Sequence, residues 1–116
     1  MKKLFALIAL TGLAQFASAE VVGDAKAAAE KKIAMCIGCH AIPGYKATFP
    51  EVFRVPMIGG QSAKYLESAL KAYRKGERKN PSMQGIAGSL SDQDIADLAA
   101  YYSQQASSGS PAVAQK

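Results

Sequence analysis

Both cysteines of this chain and its one histidine fall within five consecutive residues, Cys36-Ile37-Gly38-Cys39-His40. Nothing else in the 116 residues limits the fold as strongly. A domain of this size buries only a modest share of its surface, and it gains from a cofactor, metal or disulfide acting as an internal staple. In an oxidising compartment a Cys36–Cys39 disulfide is the plainest use of the pair. It would close a very short loop, however, and short loops remove the least entropy from the unfolded chain. The pair therefore has another task.

The compartment is read from the other end of the chain. Lys2 and Lys3 precede an apolar run over 4–13, and Ala17-Ser18-Ala19 is a small-x-small cleavage site. This is the pattern of a secretory signal peptide over 1–19, cleaved after Ala19. The apolar run is too short for the ~18 to 20 residues that span a bilayer, so no stable membrane insertion is expected. Residue 20 is Glu, so nothing suggests a lipid anchor. The expected address is the periplasm of a Gram-negative bacterium. The formal net charge of +5 includes Lys2 and Lys3, which leaves the exported part mildly basic. It has no long Lys/Arg block, and nucleic acid is excluded as a partner on that ground and on location.

Helical patterns dominate residues 20–105, the expected single domain, with no strand-like alternation, repeat or second domain. Residues 24–35 are rich in strong helix formers and lack Gly and Pro, which predicts a first helix running into the cysteines. Its small residues Ala25, Ala28 and Ala29 allow another helix to come close. Residues 41–60 hold Pro43, Pro50 and Pro56 with Gly44, Gly59 and Gly60, and read as a long ordered loop that must pack on something. Ser62 caps a second helix to about residue 75, with Leu66, Ala69, Leu70 and Tyr73 at helical spacing and Gly76 ending it. Residues 81–91, with Gly85 and Gly88, read as a loop. Ser91 and Asp94 form a variant capping box for a third helix to about residue 105, carrying Ile95, Leu98, Ala99 and Tyr102 on one face. Residues 106–116 are rich in Ser, Gly and Pro and read as a flexible tail.

Cys-x-x-Cys-His is the attachment pattern of c-type haem. Two residues between the thiols place them to form thioethers with the two vinyl groups of one porphyrin, and His40 lies next to them as proximal iron ligand. A thioredoxin-like redox pair would need a βαβ context, which the helical pattern does not provide. Zinc would need about four ligands, where this chain offers two Cys and one His. Haem c with its iron is therefore the expected cofactor.

Four methionines compete for the opposite side of the iron. Met1 leaves with the signal, and Met35 adjoins Cys36 and cannot reach round. Met57 comes soon after the histidine, in a Pro-x-Ile-Gly-Gly segment expected to line the His side. A metal-bound His usually donates its other ring N–H to a carbonyl or carboxylate, and the Pro56 carbonyl is the candidate acceptor. Met83 follows a full helix, with chain enough to go round the haem, and is the expected distal ligand.

Taken together, these residues resemble the small class I cytochromes c of bacteria, in their single-haem forms and in the halves of their two-haem forms. The likeness covers 24–105 and rests on Cys36-Ile37-Gly38-Cys39-His40, on Pro56-Met57-Ile58-Gly59-Gly60-Gln61 with Tyr65-Leu66, and on Met83 ahead of Leu90-Ser91-Asp92-Gln93-Asp94-Ile95 and Tyr101-Tyr102. It departs at Ala41-Ile42-Pro43-Gly44-Tyr45, where many members have a Gly-rich run. The resemblance implies an all-α fold of about three main helices wrapped around one covalently attached haem. It also implies a first and last helix crossing with Ala28 or Ala29 against Tyr101 or Tyr102, Met83 as distal ligand, and the Pro56 carbonyl supporting His40. With both axial positions filled by protein, such a chain is an electron carrier rather than an enzyme. Its partners are redox proteins such as a cytochrome complex, a dehydrogenase or a terminal oxidase. A basic cluster at Lys71, Arg74, Lys75, Arg78 and Lys79, opposed by acids Asp92, Asp94 and Asp97, is the candidate docking feature.

Overall fold

The computed structural model describes residues 20–48 and 52–106. In chain order it contains α1 (Ala25–Lys31), α2 (Ala34–His40), β1 (Lys46–Ala47), β2 (Phe53–Arg54), α3 (Ala63–Lys75), α4 (Pro81–Gly88) and α5 (Asp92–Ser103). The signal peptide read at 1–19 and the tail beyond residue 106 lie outside the described residues. Among the described residues no helix is long and apolar enough to cross a membrane.

Helices α3 and α5 begin where the sequence places them. Ser62 accepts from the Tyr65 N–H to start α3, and Gly76 ends it in the left-handed region at φ +78°. At α5 the capping box is complete: Ser91 Oγ accepts from the Asp94 N–H at 3.1 Å, and Asp94 Oδ2 accepts from the Ser91 N–H at 2.8 Å.

Three expectations need correction. The single helix over 24–35 is two helices, because the Lys32 and Ile33 N–H groups converge on the Ala28 carbonyl, at 2.9 and 3.2 Å, and the chain turns there before α2 starts. That turn accompanies the ion pairs of Lys32 with Asp94 and Asp97 on α5. The loop expected over 81–91 is mostly α4. Asn80 caps it by accepting from the Met83 N–H at 3.0 Å, and Pro81 sits at its first turn, where a missing N–H costs nothing. Gly85 and Gly88 have open space where a Cβ would lie and are simply tolerated in the helix. Finally, the 41–60 segment contains a small antiparallel ladder, Lys46 opposite Arg54 and Ala47 opposite Phe53. Strands of two residues are too short to produce a readable period.

The core is built on α5, which packs on α1 and on α3, while α4 packs on α3. Ala28, Leu66, Leu90, Ile95, Leu98, Ala99 and Tyr102 form one buried cluster, with Ile33, Cys36, Ile58 and Leu70 against it. At the crossing of α1 and α5 it is Ala28 that is buried with Tyr102, whereas Ala29 is exposed. Just before α1, Gly23 comes so close to α5 that a Cβ there would run into the Ala96 carbonyl and the Ala100 methyl.

Candidate haem site

Because the motif is helical, Cys36, Cys39 and His40 stand at i, i+3 and i+4 of α2 and share one helix face. The thiols are unbridged: Cys36 is half-buried against the core, and Cys39 is exposed. Burial pushes the Cys36 thiol up from its ordinary pKa, and the neighbouring Tyr102 hydroxyl partly offsets this. The helix itself buries none of its residues.

His40 is oriented from across the loop. Its Nδ1 lies 2.6 Å from the Pro56 carbonyl, and since a carbonyl can only accept, Nδ1 carries the hydrogen. The lone pair is then on Nε2, where a metal can take it. The segment around Pro56 is held on both sides: the Val55 N–H donates to the Tyr45 carbonyl at 2.9 Å, and the Gly60 N–H to the Tyr102 carbonyl at 2.8 Å. Gly59 lies so close to Gln105 and the Ala106 carbonyl that a Cβ would crowd them. The chain thus brings His40 and Pro56 together over 16 residues by pinning the Pro56 segment to the end of α5.

Met83 is carried by a different element. It is half-buried at the third position of α4, a helix whose close contact is α3. Met57 sits next to Pro56 and is 37 % exposed.

Whether these residues fit a haem is tested by the apolar surface they leave uncovered. Of the ten large apolar side chains exposed among the described residues, eight fall between Met35 and Tyr65, among them Ile37, Ile42, Val52 and Phe53. A helix that buries nothing, flanked by uncovered apolar side chains and presenting two thiols and an imidazole, suits a large apolar group lying against it. Haem fits.

The charge pattern differs from the one expected. Asp97 is 2 % exposed and belongs to a network: it accepts from Lys32, from the Asp24 N–H at 2.8 Å and from Gln93 at 2.7 Å. Burial alone would raise its pKa, but these hydrogen bonds outweigh burial and lower it. Asp94, bonded to Lys32 and Ser91, is held down at about 2. Asp92 pairs with Arg74, whose other nitrogen donates to the Leu90 carbonyl at 2.9 Å. The start of α5 is therefore not an open acidic patch. On the basic side, Lys71 pairs with Glu67, and Arg78 donates to the Tyr65 hydroxyl at 3.2 Å with its guanidinium 4.9 Å from the Tyr73 ring centre. The partners of Arg78 are neutral, so it carries the charge left to solvent together with Lys75 and Lys79, all three being exposed.

The family model for cytochrome c matches residues 25–105, which contain the helix of the motif, the Pro56 segment and α3 to α5. The chain belongs to the class I bacterial cytochromes c. This cytochrome c is 50 % identical over 86 residues to cytochrome c-554(548) of Halomonas halodenitrificans, covering 72 % of the chain and 98 % of that relative. It is 38 % identical over 102 residues to cytochrome c4 of Pseudomonas aeruginosa, covering 88 % of the chain but 46 % of the relative. A thiosulfate dehydrogenase electron acceptor of Stutzerimonas stutzeri is 38 % identical over 78 residues, which are 63 % of the chain and 33 % of that protein. The chain thus spans about half the length of this c4 relative and about a third of the last. Its cofactor is haem c with iron, bound covalently, and it is an electron carrier of the cytochrome c type.

Proposed function

We propose that this cytochrome c is a periplasmic one-electron carrier whose haem is attached at Cys36 and Cys39 and ligated by His40 and Met83. The observation that carries the reading is the hydrogen bond from His40 Nδ1 to the Pro56 carbonyl, 2.6 Å long, which fixes the ring and leaves Nε2 as the ligand atom. When bound, the haem supplies the ferrous/ferric couple. Cys36 and Cys39 would hold it, each thiol adding its S–H across a vinyl double bond, sulfur to one carbon and hydrogen to the other. Pro56 keeps the imidazole from rotating, α5 closes the core beside Cys36, and Met83 contributes a neutral, soft thioether that favours the ferrous state. With His40 and Met83 both holding the iron, no position would be left open for substrate, which favours a carrier over an enzyme. The pattern of residues 1–19 supports export to the periplasm. The partners are redox proteins such as a cytochrome complex, a dehydrogenase or a terminal oxidase, and the relative named for thiosulfate dehydrogenase supports a dehydrogenase as donor.

The ligand assignment is tested by two substitutions. Met83→His should keep covalent haem, lower the reduction potential and abolish the weak far-red band of thioether-bound ferric haem, whereas Met57→Leu should leave potential and band in place. The reverse pattern would give the distal position to Met57.

A further inference from the structure

Tyr102 is the last buried residue of α5, and among the described residues its buried hydroxyl makes no well-formed hydrogen bond; the polar group it interacts with is the Cys36 thiol. An unpaired hydroxyl in an interior is costly, and native proteins leave few of them without a reason. Packing does not supply the reason. The ring meets Tyr101 edge-on, centroids 5.0 Å apart, and a phenylalanine would make the same contact.

What surrounds the residue does supply one. Cys36 packs against the cluster to which Tyr102 belongs. The two groups also perturb each other: burial pushes the phenol well up and the adjacent thiol adds to the rise, while the phenol draws the thiol back down. At its other end, Tyr102 accepts the Gly60 N–H on its carbonyl, four residues beyond the proline whose carbonyl holds His40. One residue of α5 therefore touches both the first cysteine of the motif and the segment that aims the imidazole.

We propose that Tyr102 is a positioning residue of the haem site, its hydroxyl donating to the sulfur of Cys36 in the thioether while its carbonyl fixes the segment holding His40. This rests on attachment of haem at Cys36. A free thiol carries its own hydrogen, whereas a thioether sulfur is an acceptor only, weak in water but the available partner in a sealed interior. The unpaired hydroxyl is thus explained as half of a hydrogen bond that attachment completes. Its O–H dipole, hydrogen end toward the sulfur, disfavours the extra positive charge of the oxidised state and so raises the potential.

The test uses holoprotein carrying Tyr102→Phe, with Tyr101→Phe as control. Peptide mass mapping first establishes haem on Cys36 in both. Tyr102→Phe should then lower the reduction equilibrium constant by about a factor of three, a part of the worth of one hydrogen bond, and lower the thermal midpoint. Tyr101→Phe should leave the potential unchanged. In native ferrous protein the Tyr102 hydroxyl proton should appear in the proton spectrum as a slowly exchanging resonance. An unchanged potential in Tyr102→Phe with equal or higher stability, or the absence of a protected hydroxyl proton, overturns the proposal while leaving attachment intact. Haem missing from Cys36 in native protein overturns the attachment itself.

Discussion

Lys32 decides more about the site than its place in an alanine-rich helix implies. Its ammonium reaches Asp94 and the buried Asp97, and it does so where the chain turns from α1 into the helix carrying Cys36, Cys39 and His40. Removing the cation leaves a buried carboxylate unpaired, so Lys32→Met should cost about 3 kcal/mol in urea unfolding at neutral pH, against less for Asp97→Asn, which keeps a polar group to hydrogen-bond. The pH dependence has a definite sign. Both carboxyls have pKa values lowered on folding from an ordinary 3.8, Asp94 to about 2, so their contribution is complete above pH 3.8 and is lost as pH falls toward 2. Lys32 is raised above its ordinary 10.5, so its contribution is complete below that pH and is lost as pH rises through the folded value. The stability gap between native protein and Lys32→Met should accordingly be widest between pH 4 and 10 and shrink on either side. A constant gap from pH 7 down to 2 would show that the network contributes no linked stability.

At the scale of elements, what could be read from the chain followed from whether one face or two are covered. Helix α3 is buried along one stripe, and its Leu66 and Leu70 spacing marks it plainly. Helix α5 buries Ile95, Leu98, Ala99 and Tyr102, which the spacing shows, but it packs on both α3 and α1 and also meets the chain before α1. Asp97 bonds to the Asp24 N–H at the start of α1, which is why a residue taken for surface acid is among the most buried of the molecule. Helix α4 was hidden by two glycines that outweighed the Asn80-Pro81 start signal. Of the candidate site, the contact between His40 and the Pro56 carbonyl was legible, because an imidazole that is to bind a metal needs an acceptor for its other ring N–H. Gly23 was not, since its role depends on a helix some seventy residues away. Gly23→Ala should push the chain off the Ala96 carbonyl and destabilise the holoprotein by ~1–3 kcal/mol in urea unfolding without altering haem content. An unaffected midpoint would mean that the crossing can open freely.

For the whole molecule, the remaining question is how a small, mildly basic protein meets its redox partners. With Lys71 and Arg74 paired to carboxylates, steering falls to Lys75, Arg78 and Lys79 beside the end of α3, and the two lysines are the pair to test. Oxidation of the ferrous protein by ferricyanide, an anion, should slow as ionic strength rises, and the slope should flatten in a Lys75→Glu, Lys79→Glu double variant. Equal slopes would show that these lysines do not steer. Underneath every such experiment lies the claim that the haem is fixed to α2 through two thioethers, and mass mapping of the mature protein tests it most directly. After acid and organic extraction, the peptide containing Cys36 and Cys39 should carry the mass of one haem and no free thiol. A peptide of unmodified mass, or haem released into the extract, would contradict the account.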